Sequence, residues 1–233
     1  MKALVPPLES TYDLIADALA DKGYCVLPQL LPAELNIALH RRVARLDEAD
    51  FQRAGIGRDH DFQLNTSVRR DQTRWLDEEH PTDRAYIEEM ADFRLAINRR
   101  LFMGLFDYES HYAHYPTGAF YKKHLDAFKG QSNRVLTTVL YLNPEWQAED
   151  GGQLLIYAPD SDQVITTVNP NFGTFVIFLS EQFPHEVFKS MRDRYSIAGW
   201  FRLQDPLQAP PIWVLIFRFT SSVIRCSASL PSR

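Results

Sequence analysis

Two histidines and an aspartate are the residues of this chain best suited to metal chemistry. His124-Leu125-Asp126 sets an imidazole and a carboxylate two positions apart, and His185 follows far downstream beside a strand-like run. Two imidazoles and one carboxylate on one face of a metal suit non-haem Fe(II) and leave three coordination positions open, enough for a bidentate co-substrate and O2. Beyond His185 stands Arg194, in Arg194-Tyr195-Ser196-Ile197. If His185 begins one strand and Arg194 lies on its partner, the guanidinium points into the same cavity and offers a fork of donors to a carboxylate. A keto-dicarboxylate such as 2-oxoglutarate needs both features, because its 2-oxo acid end chelates metal and its distal carboxylate needs a cation. Taken singly, each residue has a plainer reading. A histidine near a strand end is more often structural, Asp126 alone is a loop or cap residue, and Arg194 alone is a solvated charge beside Arg192 and Asp193.

The elements that must position these groups divide the chain. The first half reads helical. Ser10 or Thr11 is placed to cap a helix running to Asp21, with Gly23 as its stop. Tyr24 to Pro28 is a short strand-like run. Pro32 to about Asp50 is helical again, with Leu35, Leu39, Val43 and Leu46 on one stripe. Gly55 to Pro81 loses periodicity and reads as a long loop with short strands, a length often reserved for function. Thr82 to Leu105 is a helix, with Ile87, Met90, Phe93, Ile97, Leu101 and Leu105 as its buried stripe. After Phe106 the pattern turns to strands: 108–115, 135–142, 153–157, 164–168, 174–178, 186–188 and 195–202, separated by Pro/Gly/Asn/Asp turns. Short strands at this spacing argue for a sandwich or barrel, and a jelly roll is one solution.

Composition bounds the rest. With 233 residues, 45% of them hydrophobic, the chain can bury a large core without staples. The net charge of −5 provides no electrostatic footprint for nucleic acid or an anionic membrane, so neither is expected as a partner. Cys25 and Cys226 form neither a disulfide framework nor a zinc spacing and read as reduced thiols of a cytoplasmic protein. The N-terminus lacks a signal-peptide pattern. The longest apolar run, Ile212 to Phe217, is too short to span a bilayer. The expected layout is one domain over 1–203, with helical support over 8–106 and a β core over 107–202. The tail, 204–233, has no acidic residue after Asp205 and carries Pro206, Pro210, Pro211 and a Trp-Val-Leu-Ile-Phe run; it has no assigned role.

Several motifs follow one another along the chain. Val68-Arg69-Arg70-Asp71 with Trp75 comes first, then Tyr115-Pro116 with Gly118, then His124-Leu125-Asp126. Tyr141-Leu142-Asn143 with Trp146 follows, then Gly151-Gly152, Pro184-His185-Glu186-Val187, and Arg194-Tyr195-Ser196-Ile197 with Trp200-Phe201. Over residues 20–202 this set resembles the prolyl hydroxylase branch of the 2-oxoglutarate/Fe(II) dioxygenases and is similar to the hypoxia-sensing-type enzymes and their bacterial relatives. The resemblance implies an α+β, mainly β fold: a double-stranded β-helix (jelly roll) with N-terminal helices packed on one sheet. It implies Fe(II) held by His124, Asp126 and His185, 2-oxoglutarate and O2 as co-substrates, and ascorbate as reductant. Arg194 would pair with the distal carboxylate of 2-oxoglutarate, Tyr141 would hydrogen-bond it, and Tyr115 would line the pocket. Asp71 and Arg134 would pair to tether a loop over the site, with Arg69 and Trp75 where that loop meets substrate. The segment between Tyr115 and His124 is shorter by a residue than in hypoxia-sensing members, which leaves Tyr121 without an assigned counterpart. The implied reaction is hydroxylation of a prolyl residue in a protein, such as a regulator, ribosomal protein or translation factor, with release of succinate and CO2. The alternatives are a small-molecule hydroxylase acting on a free amino acid or metabolite, and a non-enzymatic metal-containing β-barrel binding module.

Overall fold

The computed structural model describes residues 8–53, 67–127 and 133–204. Its elements, in chain order, are α1 (Leu8–Lys22), β1 (Tyr24–Leu27), α2 (Ala33–Val43), β2 (Gln52–Arg53), β3 (Gln72–Trp75), α3 (Pro81–Leu101), β4 (Asp107–Tyr115), β5 (Tyr121–His124), β6 (Arg134–Tyr141), β7 (Leu154–Tyr157), β8 (Val164–Val168), β9 (Phe175–Leu179), β10 (His185–Val187) and β11 (Arg194–Arg202). The expectations for the 204–233 tail, and for the first part of the Gly55–Pro81 loop, fall largely outside the described residues.

The strands form two antiparallel sheets, a large one ordered β1-β9-β6-β11-β4-β3-β2 and a small one ordered β5-β10-β7-β8. Side chains alternate across a strand, so the large sheet has two distinct faces. Along β11, Ile197 and Phe201 point one way, toward the helices, while Arg194, Ser196 and Trp200 point the other way. The helix-facing side is packed by Tyr12, Ile15 and Leu19 of α1, Leu39 and Val43 of α2, and Tyr86, Met90, Phe93 and Ile97 of α3. Phe93 stacks on Phe201 with ring centroids 5.6 Å apart, and each such fully buried side chain contributes about 1.5–3 kcal/mol relative to exposure. The opposite face looks toward the small sheet, and Tyr115, Tyr141, Val176 and Phe178 share a core with Leu154, Ile156, Val168 and Val187. This is the double-stranded β-helix arrangement, with the helices on one sheet.

Helix ends follow local chemistry. Gly23, at φ +76°, closes α1 and its N–H reaches the Leu19 carbonyl at 3.1 Å, the left-handed stop that favours glycine. Helix α2 ends at Val43, short of the expected Asp50. Helix α3 ends at Leu101 rather than Leu105 because Phe102 turns left-handed and the Asn98 side chain bonds both the N–H and the C=O of Leu105, at 2.9 and 2.8 Å. The apolar stripe of α3 also contains a carboxylate that periodicity did not single out. Asp83 is fully buried, accepts from the Tyr112 hydroxyl at 2.7 Å and lies 3.7 Å from the Arg42 Nε.

Candidate active site

His124, Asp126 and His185 come together although four strands, β6 to β9, lie between β5 and β10 in sequence. Strands β5 and β10 pair antiparallel, and their register sets His185 directly opposite His124. The imidazole centroids are 4.3 Å apart. Asp126, just past the end of β5, turns its carboxylate between the rings, with Oδ1 3.5 Å from His124 Nε2 and Oδ2 3.6 Å from His185 Nε2. One ligand atom from each residue lies within 4.8 Å of the others. Donors about 2.0–2.2 Å from a shared metal stand roughly 3–3.5 Å from each other, so the three need only small adjustment to grip one ion.

The surrounding bonds leave the ligand atoms free. His124 Nδ1 faces the Lys122 carbonyl at 2.8 Å and His185 Nδ1 faces the Phe183 carbonyl at 3.0 Å. A carbonyl only accepts, so the ring proton sits on Nδ1 and the Nε2 lone pair is available to a metal. Burial pushes the His185 pKa down to about 4, against the pull of Asp126, so this ring is neutral near pH 7. Burial alone would raise the Asp126 carboxyl. The positive charge that His185 and His124 carry once protonated, together with the Thr137 hydroxyl that donates to Oδ2 at 2.8 Å, outweighs it and holds the group well below the usual carboxylate range, so a proton entering the cluster goes to an imidazole before the carboxylate. Neutral imidazoles with an ionised carboxylate are the donor set Fe(II) takes.

Arg194 lies deeper. It begins β11 and pairs in register with Tyr115 of β4, so it stands on the large sheet. The expectation that its strand partners that of His185 does not hold, because β10 pairs with β5 and β7 and Arg194 belongs to the opposing sheet. It is 1% exposed, and its guanidinium carbon lies 4.7 Å from the Tyr115 ring and 5.0 Å from the Tyr141 ring. Its Nη1 donates to Ser196 Oγ at 3.4 Å. Among the described residues no carboxylate meets it, and both its Nε and the Tyr141 hydroxyl are buried without a hydrogen-bond partner. Burial raises the Tyr141 phenol, with Arg194 pulling the other way. A desolvated cation beside an unused hydroxyl fits the distal carboxylate of 2-oxoglutarate. Thr137, which holds Asp126, and Tyr141 are four residues apart on one face of β6, roughly 13 Å along the strand. That span has room for a five-carbon dicarboxylate and the arginine side chain.

The expected loop residues take other partners. Asp71 is bonded by Arg69, through Nε at 2.8 Å and Nη2 at 2.5 Å, and not by Arg134. Arg134 is held instead by Glu109, at 2.9 and 2.8 Å, and stacks 3.7 Å over the Trp200 ring. Arg69 and Asp71 are two apart in extended backbone and share a side, which makes theirs the shorter reach. Trp75 is 56% exposed and meets His111 edge-on at 5.2 Å, while His111 also touches Trp200 at 5.3 Å. Sequence reasoning singled out neither His111 nor Thr137. His111 has no motif around it, and Thr137 lies in a Val-Leu-Thr-Thr-Val run that reads as ordinary strand. Burial pushes the His111 pKa down to about 4.

The model of the 2OG-Fe(II) oxygenase superfamily matches residues 110–202. The crystal structure of a Pseudomonas putida prolyl-4-hydroxylase superposes with a TM-score of 0.75 at 38% identity, covering 85% of this chain and 100% of that one. The chain belongs to the 2OG-Fe(II) oxygenase superfamily, on its prolyl hydroxylase-like branch. A Trichoplax adhaerens prolyl hydroxylase, solved in complex with a hypoxia inducible factor oxygen degradation domain peptide fragment, superposes on the oxygenase with a TM-score of 0.74 at 25% identity, over 84% of this chain and 90% of that one. Human Egl nine homolog 1 is 25% identical over 206 residues, covering 84% of this chain and 48% of that protein, so the oxygenase spans about half the length of this relative. The family uses Fe(II), 2-oxoglutarate and O2, and the His124–Asp126–His185 cluster matches that requirement.

Proposed function

We propose that this chain is an Fe(II)- and 2-oxoglutarate-dependent dioxygenase that hydroxylates a prolyl residue in a protein substrate, with release of succinate and CO2. The observation that carries this reading is the convergence of His124, Asp126 and His185 with a buried guanidinium, Arg194, that has no carboxylate partner among the described residues. The iron, when bound, supplies the redox chemistry with O2 that side chains cannot. His124 and His185 offer Nε2, and Asp126 offers a carboxylate steadied by Thr137. Arg194 and Tyr141 hold the distal carboxylate of the co-substrate, and the ring of Tyr115 closes the pocket beside them. Trp75, His111 and Trp200 form an apolar wall at the mouth, suited to the ring of proline and to excluding water. Arg69 and Asp71 fasten the segment that leads to Trp75, and Arg134 steadies Trp200.

A protein substrate is favoured by the likeness to the Pseudomonas putida prolyl-4-hydroxylase and to the Trichoplax adhaerens enzyme with its bound peptide. A regulator, a ribosomal protein or a translation factor is the target class we expect, with ascorbate as reductant and the cytoplasm as location. Among the described residues no helix is long and apolar enough to cross a membrane. The test has two parts. Purified protein with Fe(II) should convert 2-oxoglutarate to succinate in air, and proteomes from cells with and without the gene should differ by one oxygen atom on a proline. Succinate formation that responds to free amino acids and to no peptide would transfer the reading to a small-molecule hydroxylase.

A further inference from the structure

Tyr121 has no task in the reading above, yet it makes the tightest ring contact at the centre. Its ring lies flat on the His124 imidazole, with centroids 3.5 Å apart and planes 13° from parallel. The guanidinium of Arg69 lies 4.2 Å from the Tyr121 ring centroid. Arg69 is anchored in turn by two bonds to Asp71, which is 2% exposed. The backbone follows the same path. Arg69 bridges Tyr121, Arg70 N–H donates to the Phe120 carbonyl at 3.0 Å, and Lys122 N–H donates to the Val68 carbonyl at 2.9 Å. The chain then enters β3, where Trp75 pairs with His111 on the large sheet. The stretch from Val68 to Trp75 therefore joins the small sheet, at a metal-ligand strand, to the large sheet at the mouth of the site.

We propose that Tyr121 is a positioning residue for His124, held in place by Arg69 and Asp71, and that this stack couples the Arg69–Trp75 segment to the metal centre. The inference rests on the metal-centre reading given above. The physical need is specific to His124. His185 is enclosed, with the Phe178 ring edge-on at 4.8 Å, whereas the His124 side chain is 16% exposed and meets a carbonyl at Nδ1, with Asp126 and the His185 ring on its metal-facing side. Those contacts hold the edges of the ring and leave its open face to Tyr121. A flat aromatic neighbour restrains the tilt of the ring, and a guanidinium stacked behind the neighbour holds that neighbour by a cation–π attraction. A load on Trp75, such as docking of a peptide, then reaches His124 through Arg69 and Tyr121 without a contact of its own.

The experiment reads metal binding without turnover. Co(II) is titrated into full-length protein without air, following its visible d–d bands, while near-ultraviolet circular dichroism and melting of the metal-free protein report folding. Tyr121→Phe keeps the stacking ring and should leave the Co(II) affinity within twofold and the bands in place. Tyr121→Leu should weaken Co(II) about tenfold, the lower end for loss of an outer partner, and shift the bands. The double variant Arg69→Met/Asp71→Asn should move both readouts in the same direction by less, and should add nothing in a Tyr121→Leu background, because it acts through the same ring. A folded Tyr121→Leu protein with wild-type affinity and spectrum overturns the inference, as does full additivity of the two sets. If Tyr121→Leu does not fold, the double variant decides alone, and an unchanged Co(II) spectrum there overturns it. Failure of the metal centre itself reads differently: Co(II) binding by wild type that survives His185→Ala defeats the centre, whereas binding that His185→Ala abolishes and Tyr121 substitutions leave untouched defeats only the stack.

Discussion

Replacing Arg194 tests the co-substrate pocket most directly, because the structure assigns opposite signs to two measurements on one variant. The guanidinium is 1% exposed, and its neighbours are two aromatic faces and the Ser196 hydroxyl. Each ring face contributes about 0.5–2 kcal/mol, while leaving a cation desolvated costs several kcal/mol. Without ligand, Arg194→Met should therefore stabilise the fold by about 1 kcal/mol or more, read as a higher urea midpoint for metal-free protein. With ligand the sign reverses. Removing one partner of a buried, hydrogen-bonded ion pair costs about 3–5 kcal/mol, so 2-oxoglutarate should bind at least roughly 150-fold more weakly. Isothermal titration of the Mn(II)-loaded protein under nitrogen measures that loss with no turnover. Arg194→Lys keeps the charge and forfeits the fork, which should weaken binding about tenfold. If Arg194→Met binds 2-oxoglutarate like wild type, the guanidinium does not hold the co-substrate. If the ligand-free variant is less stable than wild type, the cation is satisfied internally and the description of it as uncompensated is wrong.

Asp126→Ala should abolish both turnover and Fe(II)-dependent stabilisation; full activity in that variant would defeat the ligand assignment. Thr137→Val removes the donor to Asp126 Oδ2 and should weaken metal binding about tenfold with little change in fold, checked by Co(II) titration. The His111 imidazole, pushed down to about 4 by burial, is near 6.5 in the unfolded chain. The unfolded chain takes up that proton first, so this group's contribution is intact above pH 6.5 and is lost as pH falls through 4, by about 3 kcal/mol in all. Urea midpoints at pH 7.5 and 4.5 should therefore differ less in His111→Phe than in wild type. At Gly199 an added Cβ would meet the Tyr108 hydroxyl, which is committed to Tyr86 and Thr138 at 2.9 and 2.8 Å. Gly199→Ala should cost about 1–3 kcal/mol by overpacking, and a variant as stable as wild type would show that this ring can move.

Side-chain type and period were enough to read much of the molecule along the chain. The α3 stripe of Met90, Phe93 and Ile97, the glycine stop at Gly23 and the strand sequence from 108 to 202 are local features, because helix and strand periods are written into consecutive residues. The residue types of a ferrous site and a carboxylate clamp could be named in the same way, since imidazole, carboxylate and guanidinium carry their chemistry wherever they lie. Partnership could not be read locally. β5, Tyr-Lys-Lys-His, has no apolar alternation and becomes a strand by pairing with β10, with Arg69 bridged to its other edge. That pairing, which sets His185 against His124, joins residues far apart in sequence. Asp71 takes Arg69 and Arg134 takes Glu109 because backbone geometry decides which oxygen is within reach. Tyr121 and Thr137 gain a role only from what the fold lays beside them. Composition and order along the chain thus determined which chemistry is possible, while distance and burial, which exist only once the two sheets close, decided which groups meet, which proton is held and which charge is left to bind a ligand.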